Sequence, residues 1–177
     1  MFYKRPGGEP APLIRRIAVP LCMVVLFILL ASPVSASMVS FLLVETGINE
    51  TASSGQYSSL WEGGLMAAFF DAGHIVTNSP IARMEKKPAR DLSGKVEADY
   101  KEAVRGGADF FVLAFLEYKE QGEKAIPIGI ALKLYSSNSQ RLVYEQMFPA
   151  GTGKNLDEEY KFAQNAGRVI ISHLRDR

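Results

Sequence analysis

Cysteine is all but missing. The single one, Cys22, lies in an apolar stretch near the amino terminus, so the rest of the chain has no disulfide framework, thiolate metal site or cysteine nucleophile. Histidine is nearly as scarce, with only His74 and His173, and no His or carboxylate spacing resembles a metal site. An excess of one charge is also lacking. Twenty basic side chains face 19 acidic ones, for a formal net charge of +1, a balance that makes no long-range field to gather phosphates. Nucleic acid is therefore not expected as a partner, and no cofactor is implied. The one compact charged cluster, Glu85-Lys86-Lys87, reads as a solvated loop. What the chain has in quantity is apolar residues, 47% against 22% charged over 177 residues, the range of an ordinary globular protein.

Part of that apolar material forms a leader. Lys4, Arg5, Arg15 and Arg16 make a positive head, residues 17–31 an apolar run, and Val34-Ser35-Ala36 puts small residues where a signal peptidase reads. This is the pattern of a secretory signal over residues 1–36, leaving a periplasmic or secreted single domain of residues 37–177. The alternative is an inner-membrane anchor formed by residues 17–31. That run is shorter than the ~20 residues needed to cross hydrocarbon, and Pro20 interrupts it. Cys22 follows Pro20 and Leu21 rather than small residues, which argues against lipid attachment. Membrane contact is expected only through the leader, if it stays uncleaved.

The mature chain is organised around residues 110–116, a continuous apolar run entered through Gly106-Gly107 from a helix-patterned segment. A run of this kind is what a strand buried on both faces looks like, and it is expected to be the central one. Residues 38–44 read as a second buried strand and 74–77 as a short one. Ile126, Ile128, Ile130, Leu132 and Leu134 alternate with Pro127, Gly129, Ala131, Lys133 and Tyr135, the clearest half-buried strand. Residues 136–139 are a hairpin loop returning through residues 141–148.

Three helical stripes separate these strands. The first carries Leu60, Gly64 and Ala68 beside Trp61, Leu65 and Phe69, a small-residue face suited to close approach to a sheet, with a serine between 53 and 59 as its cap and Gly73 as its terminator. The second carries Leu92, Val96, Tyr100, Ala103 and Val104. The third is capped by Asn155, and its buried face is expected to be Leu156, Phe162, Ala163, Ala166, Val169, Ile170 and Leu174. Residues 79–90 read as a loop. The fold class is α/β (α+β): a single mixed sheet of about five strands with three helices, in the order strand, helix, strand, helix, three strands, helix.

Three blocks carry a resemblance: Leu65-Met66-Ala67-Ala68-Phe69-Phe70-Asp71-Ala72-Gly73-His74-Ile75-Val76, the passage of residues 103–116 with its Gly-Gly-Ala-Asp, and the hairpin of residues 126–148 before a closing helix. In that order they resemble the amino-terminal domain of TolB and its relatives LpoB and CsgG, a group of bacterial envelope proteins. The resemblance implies a non-catalytic module that binds an envelope protein partner and supports envelope assembly or transport. The chain departs from the group in lacking the lipid-attachment cysteine of its lipoprotein members and the propeller repeats of TolB.

Two kinds of site follow. In a small exported hydrolase, His74 and Glu45 are the acid–base candidates, brought together at one end of parallel strands, with Ser40 or Thr46 as nucleophile. The simpler account of His74 is a polar residue at a strand start, and of His173 a helix carboxyl-end charge. Gly151-Thr152-Gly153-Lys154 lacks both the first glycine and the final hydroxyl of a phosphate loop. In an interaction module, the strand face opposite the isoleucines presents Lys133 and Tyr135 to a partner, with Tyr135 as the aromatic anchor, and the returning strand offers an edge for strand addition.

Overall fold

A computed structural model describes residues 36–48, 56–121 and 124–174. The leader up to Ser35, Asn49-Glu50-Thr51, the tip of the turn after the central strand, and Arg175 and Arg177 lie outside the described residues. Among the described residues no helix is long and apolar enough to cross a membrane.

The central strand is where the apolar run places it. β4 (Phe110–Gln121) sits in the middle of a sheet whose order is β2-β1-β4-β5-β6, with the short β3 also pairing β1. β1 (Met38–Thr46) runs parallel to β4, β2 (Ile75–Asn78) and β3 (Ala82–Met84), while β5 (Lys124–Ser136) and β6 (Arg141–Phe148) complete an antiparallel hairpin. From Phe110 to Leu116 β4 is apolar and buried because both of its faces are covered. Phe110, Val112, Ala114 and Leu116 join one core, whereas Phe111, Leu113 and Phe115 join another.

Helices α1 (Tyr57–Asp71) and α3 (Leu156–Ser172) pack on the first face, and α2 (Gly94–Arg105) alone packs on the second. The connections explain this split. From β1 to β2 the chain steps outward; from β3 to β4 it steps back across β1. Right-handed crossovers in opposite directions place their helices on opposite faces.

The small residues of α1 work differently from expectation, because they admit α3 rather than the sheet. A Cβ on Gly64 would stand 2.6 Å from Ala163 Cβ, and one on Gly167 2.8 Å from Ala68 Cβ. Trp61, Leu65 and Phe69 fill the core beneath. The helix begins after Gln56, which makes no side-chain cap, instead of after a serine. Gly73 terminates it as expected, with φ +87°. Asn155 caps α3, its Oδ1 accepting from the Glu158 amide at 2.9 Å.

Three further expectations are corrected. The segment read as a loop contains β3, too short to show a period, whose Ala82 and Met84 fill the α2-side core. In α3, Leu156, Phe162 and Val169 are exposed, since the helix turns Ala163, Ala166, Gly167, Ile170 and Ile171 inward. In β5, Ile130, Leu132 and Leu134 point into the α1–α3 core, but Ile126 and Ile128 are 39% and 49% exposed. A bulge causes the reversal. Glu117 pairs with Gly129 and Tyr118 with Pro127, leaving Ile128 unmatched, and one extra residue flips every side chain before it to the other face.

Candidate partner-binding cleft

The polar groups inside the fold form three centres. At the carboxyl end of β1, the buried Glu45 takes Arg83 Nε and Nη2 on Oε2, both at 2.8 Å, and Ser58 Oγ on Oε1 at 2.5 Å. Ser58 gives its single proton to Glu45, so Tyr118 must donate to the Ser58 oxygen, 2.7 Å away. Burial pushes the Tyr118 hydroxyl up to about 12, with the Glu45 charge adding to the rise. This centre ties β3 and the first turn of α1 to the end of β1.

It also removes Glu45 from the hydrolase scheme. His74 directly precedes β2, whose Ile75 pairs with Met38 at the start of β1, while Glu45 lies at the other end of that strand. Seven strand residues at ~3.3 Å each separate the two by roughly 23 Å. Parallel pairing sets the end of one strand beside the end of the next, and His74 stands at a beginning. The structure does not bring His74 and Glu45 together. Ser40 and Thr46 are both buried in β1. His173 stacks on Tyr144 with ring centroids 3.7 Å apart.

The second centre fills the glycine loop before α3. Glu159, 1% exposed, accepts from Trp61 Nε1 at 2.8 Å, from the Gly151 amide at 2.7 Å and from the Gly153 amide at 2.9 Å, and Glu158 accepts from the Lys154 amide at 3.0 Å. The amides that a phosphate would need already hold the chain's own carboxylates. Gly151 is required here: its φ is +70°, and a Cβ would stand 2.3 Å from the Pro127 carbonyl oxygen.

The third centre contains the two residues singled out for a partner, and it corrects their exposure. Lys133 and Tyr135 are 7% and 6% exposed. Lys133 Nζ bonds Asp91 at 2.7 Å and Glu145 at 2.8 Å, and the Tyr135 hydroxyl donates to the same Asp91 oxygen at 2.8 Å. They point to the expected face, but the segment leading into α2 folds over it and supplies Asp91. Sequence reasoning missed that aspartate, although a lysine inside a largely apolar strand is itself a sign that a carboxylate lies opposite.

Burial alone would raise the Asp91 carboxyl, but its hydrogen bonds to Lys133 and Tyr135 and the Lys133 and Lys87 charges hold it below 3.8. Burial would lower Lys133, and its two carboxylates outweigh that and raise it above 10.5. Tyr135 is raised by burial, with the Asp91 carboxylate adding to the effect. The signs define a window. The Asp91 contribution is complete above an ordinary carboxyl value and is lost as pH falls through the depressed one. The Lys133 and Tyr135 contributions are complete below pH ~10 and lost as pH rises through their raised values.

Tyr135→Ala should therefore cost about 2–4 kcal/mol, and Tyr135→Phe about 1 kcal/mol, for one hydrogen bond to a charged group that water partly replaces. Denaturant midpoints measure both, and an alanine cost below 1 kcal/mol would contradict the buried placement.

Beside this centre, on the α2 face, a cleft of about 420 Å³ opens between the Glu85-Lys86-Lys87 turn and the ends of β1, β4, β5 and β6. Thr46, Gly47, Phe115 and Glu117 form one wall, and Gly129, Ala131, Glu145 and Met147 the other. Lys87 Nζ lies 4.9 Å from the centroid of the Phe115 ring. The turn read as solvated thus also forms the rim of this cleft.

The class this defines is a mixed α/β sheet covered by two helices on one face and half covered by one on the other. No protein-family model matches the chain, and no curated protein matches it. Among solved structures it is similar to the PelC dodecamer from Paraburkholderia phytofirmans, at 14% identity and a TM-score of 0.44 over 80% of this chain and 89% of that one. It is similar to TolB from Acinetobacter baumannii, at 11% identity and 0.37, over 80% of this chain and 28% of that one. It is similar also to the LpoB C-terminal domain from Salmonella enterica, at 14% identity and 0.34, over 71% and 91%.

Proposed function

We propose that this protein is an exported, non-catalytic interaction module of the cell envelope, cleaved after Ala36, which supports envelope assembly or transport by holding a partner protein on the uncovered half of its sheet. One observation carries this reading. On the α2 face, β5 and β6 turn Ile126, Leu142 and Met147 outward by register, and Ile128 and Val143 stand at the bulges beside them, all five exposed. Exposed large apolar side chains gathered on two adjacent strands mark a docking surface. The leader pattern and the three sequence blocks support the compartment and the class of work. Glu45, the strongest acid–base candidate, has its carboxylate held by Arg83 and Ser58. Lys133 and Tyr135 belong to this surface as its support from beneath.

Met147 is 65% exposed, so Met147→Asp should change stability by less than about 0.5 kcal/mol while weakening capture of the envelope partner by roughly tenfold or more. Equal capture by variant and wild type would move the binding surface elsewhere. Amino-terminal sequencing of the envelope-located protein should read from Ser37; a start at Met1 with membrane retention would replace export by anchoring through residues 17–31.

A further inference from the structure

We infer that the cleft beside Phe115 is a seat for a cationic side chain, arginine or lysine, presented by the partner protein, and that Lys87 occupies the seat in the free protein. The inference rests on the interaction-module reading and assigns the chemistry of its recognition site. Phe115 is only 2% exposed, yet its ring face is closed by an ammonium on a side chain from the surface turn, 4.9 Å from the ring centroid. A cation over an aromatic face is attracted by the ring quadrupole, and a planar guanidinium stacks there better than an ammonium does.

The charges around the ring fit a cation and not an anion. Once Lys87 gives up the seat, Glu85 and Glu117 face only Lys86 across the cleft. Glu145 is paired with Lys133; among the described residues Glu85 and Glu117 have no ion-pair partner. Lys87 is itself exposed and sits on a turn outside any helix or strand, so a partner's cation can replace it without unfolding an element. The exposed Met147 at the rim gives the stem of the incoming side chain an apolar contact.

The test uses the purified protein and N-acetyl-argininamide as probe, followed by amide chemical shifts. Saturable shifts should centre on Gly47, Glu117 and Gly129, and the neutral N-acetyl-glutaminamide should produce none. Lys87→Ala, which empties the seat, should tighten the probe by about threefold, whereas Lys87→Arg, a better internal occupant, and Glu117→Gln should each weaken it by about threefold. All three substitutions fall on exposed side chains, and an unchanged melting temperature separates binding from folding. No saturable shifts in wild type or Lys87→Ala, an equal response to the glutamine probe, or tightening by Lys87→Arg would overturn the inference. The probe involves no partner, so its failure is distinct from a failure of partner capture.

Discussion

Phe111→Ala is expected to lower the unfolding free energy by about 3–5 kcal/mol. Phe111 lies in the central strand, is 0% exposed, and meets Tyr100 of α2 edge-on with ring centroids 5.3 Å apart. Removing the ring loses its transfer free energy and leaves a cavity between strand and helix that cannot close, because Leu113 and Val96 are already fixed in the same cluster. The edge-to-face pair adds about 0.5–1.5 kcal/mol to the loss. A denaturant midpoint shifted by less than about 1 kcal/mol would mean that α2 does not pack on this strand.

Glu159→Ala should cost a comparable amount, about 3–5 kcal/mol, for a different reason. Its carboxylate accepts from the Trp61 indole and the Gly151 and Gly153 amides, and alanine leaves these donors without an acceptor where water enters poorly. Glu159→Gln is the informative companion. Oε1 accepts from Trp61 and Gly151, so a glutamine oxygen at that place keeps two of the three bonds, and the amide nitrogen then faces the Gly153 donor. The expected order of stability is wild type, then glutamine, then alanine. A glutamine variant as stable as wild type would show that the charge at Glu159 contributes nothing.

The sequence and the structure agree where the burial pattern runs unbroken along an element. Residues 110–116 reveal the central strand because apolar residues at every position require cover on both faces, and Asn155 reveals the start of α3 because its side chain satisfies a free amide. Agreement fails where one backbone irregularity changes the phase of the pattern. Ile126 and Ile128 continue the alternation of Ile130, Leu132 and Leu134 in sequence, but the bulge at Ile128 turns them outward, and no composition signal marks it. The site was partly legible. Lys133 and Tyr135 do share the predicted face, but their cover comes from Asp91, more than 40 positions away. His74 and Glu45 failed as a pair because parallel strands put like ends together, and Glu45 lies near the end of β1 whereas His74 precedes the start of β2. Lys87 gave no signal beyond membership in the chain's one compact charged cluster, since a cation over a ring depends on which strand lies beneath the turn.

Site-specific photocrosslinking in intact cells tests the central claim most directly. A crosslinker at Met147, on the uncovered half of the sheet, is compared with one at Phe70, which is 70% exposed at the end of α1. The account predicts one discrete envelope-protein adduct from position 147 and none from position 70. An adduct from position 70 with none from 147 would contradict it.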